Sequence, residues 1–200
     1  MVKQLNVHTI VIGYDHHFGI NRSGDFNTLV RLSKQFNFAV QEIPASTIDE
    51  IAVSSTRIRK ALSNRGLEEA NQLIGRPYQL TGTVIHGKQL GRTIGFPTAN
   101  IHLNDPYKLI PSFGVYAGIC LVENKRFKMV CNIGVRPTVD GENISIEAHL
   151  FDFVKNIYGE HLTLFLVQYL RNEQKFDSIE ALKSQILHDA QQAQILVTLD

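Results

Sequence analysis

The sequence predicts two domains of different class: an α/β fragment with a parallel sheet, and an all-β barrel with a C-terminal helix. Residues 5–43 follow a strand–helix–strand order, which favours a parallel sheet. Beyond Pro77, strand-like segments follow one another with short turns, and most have no helix between them. This pattern is typical of an antiparallel barrel. The pattern changes at the Gly-Arg-Pro of residues 75–77, which places the domains at residues 1–74 and 75–200.

The first domain begins with a β-branched segment at residues 5–12, which predicts a buried strand. Its other predicted elements are a helix from 24 to about 36, a strand at 38–43, a helix that starts at 54–56 and stops at Gly66, and a helix at 67–74. So small a sheet cannot bury both of its faces. We therefore expect that the N-terminal side of this domain is missing from the chain.

The second domain contains five clear strand patterns and a final helix. The strands are predicted at residues 78–85, 115–122, 127–133, 144–151 and 162–170. Five or six strands with short turns indicate a closed or nearly closed antiparallel barrel. Apolar residues recur every three or four positions between residues 178 and 195. We therefore expect a helix there that caps the barrel or packs on its side.

Composition excludes several classes of protein. The net charge of +1 gives no electrostatic footprint for a nucleic acid or an anionic membrane. No apolar run is long enough to span a bilayer. The two cysteines, Cys120 and Cys131, lie inside apolar runs and are predicted to be reduced core residues. We therefore expect a cytoplasmic protein without nucleic-acid or membrane partners.

Residues 87–100, with the sequence GKQLGRTIGFPTAN, carry the strongest sign of a ligand site. Glycines allow a backbone to approach a ligand closely, and the cations Lys88 and Arg92 suit phosphates. Thr98 and Asn100 offer neutral oxygens that Mg²⁺ accepts. Residues i and i+2 of an extended segment face the same way, so both oxygens can meet one ion. A glycine-rich surface loop is an equally acceptable interpretation of the glycines alone.

The same stretch argues against a Walker-type phosphate loop. Residues 82–88 match the spacing of such a loop, but Gln89 stands where a Ser or Thr would hold Mg²⁺. Gly91, Gly95 and Pro97 also interrupt the helix that should follow. We therefore expect no helix after the loop, and a phosphate site of another architecture.

Glu147 is the candidate general base. It lies in an alternating segment, residues 144–151, in which every second residue is apolar. A carboxylate with apolar neighbours can be held ready as a base, although a solvent-facing Glu on the barrel exterior explains the pattern slightly better.

Four further segments allow two interpretations, either a contact with a ligand or an ordinary turn, helix cap or linker. The sequence alone favours the second interpretation for each of them: residues 13–19, 54–59, 132–138 and 171–176.

Several motifs together resemble the signature of riboflavin kinases. They occur in the right order over about residues 75–195: Gly82-x-Val84-x-x-Gly87-x-x-x-Gly91-Arg92-x-x-Gly95-Phe96-Pro97-Thr98-Ala99-Asn100, Gly114-Val115-Tyr116, Asn132-Ile133-Gly134-x-Arg136-Pro137-Thr138, Glu147-x-His149-x-Phe151-Asp152-Phe153, Tyr158-Gly159 and Arg171-x-Glu173-x-Lys175-Phe176. Residues 13–19 and 54–59 resemble the C-terminal part of the FMN adenylyltransferase domain. That domain, of the nucleotidyltransferase type, is fused to this kinase in bacterial bifunctional FAD synthetases.

The resemblance implies a six-stranded Greek-key barrel that phosphorylates the riboflavin 5′-hydroxyl with ATP to give FMN and ADP. It implies that Thr98 and Asn100 hold Mg²⁺ with the ATP phosphates, and that Glu147 is the base. The segment around Arg171 would border the flavin. The glycine loop would cover the nucleotide, and the residues implied to bind it are Gly82, Gly87, Lys88, Gly91, Arg92, Gly95 and Pro97. Which of the two cations reaches the phosphates stays open.

One departure from the family concerns the first domain. Adenylyltransferase domains of this family carry an H-x-G-H motif near their N-terminus, and this chain has no such segment. We therefore expect the chain as given to make no FAD from FMN, although a longer parent protein could. The alternatives to kinase activity are FMN adenylyltransferase activity and a non-catalytic flavin-binding module. A pure binder needs neither metal ligands nor a base, which argues against the module. Self-association through the incomplete α/β fragment is a further possibility.

Overall fold

The computed structural model describes residues 2–45, 47–48, 51–87, 89–138 and 141–199. The chain forms two compact units, Met1–Val53 and Ser54–Asp200. The two short helices that follow Ser54 belong to the second unit, because buried residues of theirs, such as Leu62 and Leu67, share the core of the barrel. The compact units therefore divide earlier in the chain than the domain boundary near residue 75, which stays a prediction.

The first unit is built on a two-stranded parallel sheet whose strands are connected by a helix of 11 residues. Its elements are α1 (Val2–Leu5), β1 (Thr9–Gly13), a 3-10 turn (Ile20–Arg22), α2 (Phe26–Phe36), β2 (Ala39–Ile43), β3 (Thr47–Ile48) and β4 (Ile51–Ala52). β1 and β2 pair in parallel, which confirms the predicted orientation. Asp25 caps α2 by accepting a hydrogen bond from the Thr28 amide, 2.8 Å away. The predicted first strand was too long, because Leu5 ends a helix and Asn6 has a positive φ of 50°.

The second unit contains six long strands and four helices among the described residues. Its elements are α3 (Ser55–Ser63), α4 (Leu67–Ile74), β5 (Tyr78–Ile85), α5 (Leu90–Thr93), β6 (Ala99–Leu103), β7 (Gly114–Val122), β8 (Lys125–Thr138), β9 (Gly141–Leu150), β10 (His161–Arg171) and α6 (Ile179–Leu196). Three of these differ from the prediction. β6 was not predicted as a separate strand, and α5 lies where no helix was expected. β8 continues to Thr138, so residues 132–138 belong to a strand and not to the turn that the sequence favoured. α5 is a single turn that ends before Gly95, so it does not restore a Walker-type loop.

The six strands close into an antiparallel barrel in the order β10-β5-β6-β9-β8-β7. Each pair of neighbours is antiparallel. β7, β8 and β9 follow one another, and β10 returns beside β7, which is the Greek-key order. The predicted six-stranded Greek-key barrel is therefore confirmed.

The interior of the barrel is apolar, and the last helix covers part of its outer surface. Alternate residues of each strand point inward, and on β9 these are Ile146, Ala148 and Leu150. α6 packs on the side of the barrel, where Ala193 and Val197 join a second apolar cluster. None of the described helices is both long and apolar enough to cross a bilayer.

Candidate active site

Glu147 lies on the outer face of the barrel, where it is only partly exposed. Its neighbours along β9, Ile146 and Ala148, are buried in the barrel interior. The predicted alternation of this strand is therefore confirmed, and it directs the carboxylate away from the core. The register places Asn100 of β6 opposite Glu147 on one side and Asn132 of β8 opposite it on the other. Residues directly opposite each other in a sheet share a face, so the three polar side chains lie together.

Two hydroxyl groups hold the Glu147 carboxylate. Thr98 Oγ1 donates a hydrogen bond to Glu147 Oε2 at 3.3 Å, and Ser145 Oγ donates one to Oε1 at 3.1 Å. Because the threonine hydrogen is used in this way, the lone pairs of its oxygen remain available to a cation. Thr98 and Asn100 therefore both lie beside Glu147, and their role as metal ligands stays a prediction.

The glycines of the loop allow close backbone contacts. A Cβ built on Gly87 would lie 2.4 Å from the side-chain amide of Asn100, and one on Gly91 would lie 2.3 Å from the Phe96 carbonyl oxygen. Any larger residue at position 87 would therefore displace Asn100. Gly95 has a φ of +90°, in the region that glycine adopts at least cost.

Gly82 lies where two strands of the barrel approach each other closely. A Cβ at this position would lie 2.3 Å from the backbone oxygen of His102 on the neighbouring strand β6. A close approach of two strands therefore accounts for a glycine here. The predicted contact of Gly82 with a nucleotide stays a prediction. Lys88 lies outside the described residues.

Two clefts meet beside Thr98, which lines both. The first, called the basic cleft, has a volume of about 420 Å³ and is lined by Arg92, Pro97, Thr98, Phe153, Lys155 and Tyr158 among others. The charged residues among its described lining, Arg92 and Lys155, are both basic. The second, called the helix-side cleft, has a volume of about 340 Å³ and is lined by Phe96, Thr98, Glu147, Arg171, Phe176 and Ile186 among others.

The turn before Thr98 is fixed by a histidine of β9. Nδ1 of His149 donates a hydrogen bond to the Pro97 carbonyl oxygen, 2.8 Å away, and its ring packs edge-on against Phe96 at a centroid distance of 5.5 Å. Pro97 lines the basic cleft and Phe96 the helix-side cleft. His149 therefore supports the short segment that separates the two clefts.

Arg171 forms an ion pair with another side chain of the protein. Its guanidinium donates to both oxygens of Asp189, with Nε–Oδ1 at 2.9 Å and Nη2–Oδ2 at 2.7 Å. Asp189 is only 2% exposed and also accepts a hydrogen bond from Gln185. The pair joins the end of β10 to α6 and so fixes one wall of the helix-side cleft. Sequence reasoning missed Asp189, although an acidic residue next to Ala190 on the apolar side of a helix indicates a buried partner.

The cysteine next to Asn132 offers no reactive thiolate. Burial is the main cause that raises the pKa of the Cys131 thiol, and electrostatic repulsion between its thiolate and the nearby acidic groups Cys120 and Glu147 adds to it. Burial likewise raises the pKa of Cys120 to about 12. Both thiols are therefore protonated at neutral pH, and nucleophilic catalysis by cysteine does not fit this site. Both cysteines are buried and form no disulfide, which agrees with the prediction that they are reduced core residues.

Two family models match the chain. The riboflavin kinase family model matches residues 74–197, and the FAD synthetase family model matches residues 1–57. A bifunctional riboflavin kinase/FMN adenylyltransferase of Haemophilus influenzae is 44% identical over 194 residues, which are 96% of this chain and 62% of the relative. The Escherichia coli K12 protein of the same name is 40% identical over 190 residues, 94% of this chain and 60% of the relative.

A solved structure resembles the chain over nearly its whole length. It is the crystal structure described as a macrolide-efflux protein from Streptococcus pneumoniae, with a TM-score of 0.87 and 33% sequence identity. The match covers 96% of this chain and 62% of that one. The chain thus spans about three fifths of the length of these relatives.

Proposed function

Because the chain belongs to the riboflavin kinase family, we propose that it transfers the terminal phosphoryl group of ATP to the 5′-hydroxyl of riboflavin, giving FMN and ADP. The observation that carries this proposal is the position of Glu147 and Thr98, joined by a hydrogen bond where two clefts meet. A two-substrate transfer requires the donor and the acceptor to be held on either side of one reacting centre.

The clefts suit the two substrates differently. The basic cleft is lined by Arg92 and Lys155, which favours the polyphosphate of the nucleotide. The helix-side cleft has aromatic and aliphatic walls, including Phe96, Phe176 and Ile186, which favour a flat aromatic ring system. We therefore place ATP in the basic cleft and riboflavin in the helix-side cleft, with its ribityl chain directed to Glu147.

The donor set fits a magnesium ion that is bound mainly through phosphates and water. Thr98 and Asn100 would hold it, since both present neutral oxygen donors beside Glu147 and Mg²⁺ accepts such ligands. When bound, the ion would neutralise negative charge on the transferred phosphoryl group.

Glu147 acts as the general base in this scheme. Ser145 and Thr98 hold its two oxygens in place, and the carboxylate accepts the proton of the 5′-hydroxyl as that oxygen bonds to the γ-phosphorus. The bond from the γ-phosphorus to the bridging oxygen breaks, and ADP leaves with that oxygen. The protein supplies position and charge and forms no covalent bond with either substrate.

The test is to incubate the chain with riboflavin, ATP and Mg²⁺ and to separate the flavins by chromatography. We expect FMN to accumulate with one ADP for each FMN formed. Binding of riboflavin without any FMN would contradict the proposal and would indicate a non-catalytic flavin-binding module.

A second candidate is FMN adenylyltransferase activity, which the FAD synthetase match over residues 1–57 favours. The missing H-x-G-H motif argues against it for this chain. A second incubation, with FMN in place of riboflavin, tests it by the same chromatography, because this activity would produce FAD from FMN and ATP.

A cytoplasmic location and self-association through the first unit also stay proposals, and gel filtration tests the latter.

A further inference from the structure

The chain between β9 and β10, residues 151–160, forms one wall of the basic cleft and is attached to the barrel at several points. The Phe153 ring packs edge-on against Phe127 at 5.0 Å, Ile157 is buried in the core, and the Tyr158 ring stacks on His86 at 3.8 Å. Lys155 lies in the middle of this wall and also lines the cleft. The backbone position of Lys155 is therefore fixed by the residues on either side of it.

The side chain of Lys155 reaches across to a turn at the end of the barrel. Its ammonium lies 2.6 Å from Glu123 Oε2. Glu123 and Asn124 form the two-residue connection between β7 and β8, and both have positive φ angles, 48° and 61°, as in a type I′ turn. The hydrogen bond from Lys155 lowers the pKa of the Glu123 carboxyl, so this partner is charged at neutral pH.

This ion pair is weak enough to be exchanged. The side chains of Lys155 and Glu123 are 59% and 46% exposed, and exposed pairs of this kind contribute little because water and salt screen them. A lysine ammonium on its flexible stem can turn to another anion. The phosphates of a nucleotide carry more negative charge than one carboxylate, and they would lie in the cleft that Lys155 lines.

We propose that Lys155 sets the affinity for the nucleotide: its ammonium leaves Glu123 to bind phosphate oxygens in the basic cleft, and Glu123 competes with the nucleotide for it. This inference rests on the proposed function, which places the nucleotide in that cleft. The competing explanation is that the pair only attaches the wall to the β7–β8 turn. The two explanations predict opposite effects for removal of the Glu123 charge.

The experiment measures the Kd of MgADP by calorimetry on the full chain, without riboflavin. We expect Lys155→Met to raise Kd by about three- to tenfold, since a charge-assisted phosphate contact is lost. We expect Glu123→Gln to lower Kd by about twofold, since the competitor is gone. Lys125→Met is the matched control, because Lys125 follows the same turn but does not line the described part of the cleft. Its Kd should equal that of the wild type.

The double variant separates the explanations further. If Glu123 acts only through Lys155, then Glu123→Gln has no effect in a Lys155→Met background. An increase in Kd for both single variants would show that the pair merely attaches the wall, and would overturn the inference. So would a Lys155→Met chain that binds MgADP like the Lys125 control, or a wild-type chain that does not bind MgADP. Intact MgADP binding without FMN formation would refute the proposed function and leave this inference standing.

Discussion

At the scale of the residue, the Glu147 carboxylate accepts hydrogen bonds from two hydroxyl groups, one on its own strand and one immediately before β6, and these orient it. The alternation of β9 allowed its outward direction to be predicted, because strand geometry alone decides which face a side chain takes. The pairing of Glu147 with Thr98 and that of Arg171 with Asp189 could not be predicted in the same way. They depend on which side chains and elements the folded chain brings together, and no local pattern determines that.

Replacement of Glu147 by Gln tests its role as a base. We expect kcat to fall by roughly 10²–10⁴-fold, because an amide of the same size cannot accept the proton. MgADP should bind nearly as tightly as to the wild type, since Glu147 is not among the residues that line the basic cleft. The measurement is steady-state FMN formation combined with calorimetry, and an unchanged kcat would remove Glu147 from the mechanism.

Replacement of Thr98 by Ala tests its role as a metal ligand. We expect the Mg²⁺ concentration needed for half-maximal activity to rise by roughly tenfold, because an oxygen ligand is lost. Thr98→Ser is the control, since it keeps the hydroxyl and should keep the wild-type Mg²⁺ dependence. A wild-type dependence in the alanine variant would contradict the assignment.

At the scale of the element, the strands of the barrel were more predictable than the segments between them. β5 carries its own apolar alternation, and its predicted bounds agree with the structure. β6 begins inside the glycine-rich stretch, so its strand character comes from pairing with β5 and β9 and not from its own composition. The single turn of α5 was missed for a related reason: short helices depend on their tertiary surroundings more than on propensity.

The attachment of α6 to the barrel depends on the Arg171–Asp189 pair, in which the Asp189 side chain is 3% exposed and that of Arg171 21%. Replacing Asp189 by Ala should lower the free energy of unfolding by about 3 kcal/mol, because it leaves a poorly solvated guanidinium without its partner. Urea unfolding measures the loss. Glu69→Gln is the comparison, since the Arg57–Glu69 pair is more exposed and should contribute less than about 1 kcal/mol. Equal losses in the two variants would contradict this argument.

At the scale of the whole molecule, the barrel unit carries the candidate site as far as the structure describes it. Every described residue that lines the two clefts lies in Ser54–Asp200, as does the largest apolar core. The sequence predicted that two parts of different class exist, because their periodicities differ. It placed their junction at the most obvious breaker residues, whereas the division into compact units follows the packing of α3 and α4, which no single-chain pattern reveals.

Removal of the first unit tests whether the barrel unit folds and is active on its own. We expect residues 54–200 to fold cooperatively and to form FMN with a kcat within about twofold of the full chain, since a domain of this size can bury a sufficient core. Thermal unfolding by circular dichroism and the flavin assay are the measurements. An unfolded or inactive fragment would show that the first unit supports the barrel.

In the closed barrel, neighbouring residues of a strand lie on opposite faces, and this affects which residues can change during evolution. Along β9, the positions that fill the interior alternate one by one with those that line the helix-side cleft, Glu147 and His149. Selection for a stable interior and selection for the choice of flavin acceptor therefore act on different residues of the same strand. In a scan of all substitutions through β9, changes at the inward positions should mainly lower stability, and changes at the outward positions should mainly lower flavin turnover. The two effects should therefore alternate from one residue to the next. New acceptor specificity could thus arise on the outer face while the interior stays as it is.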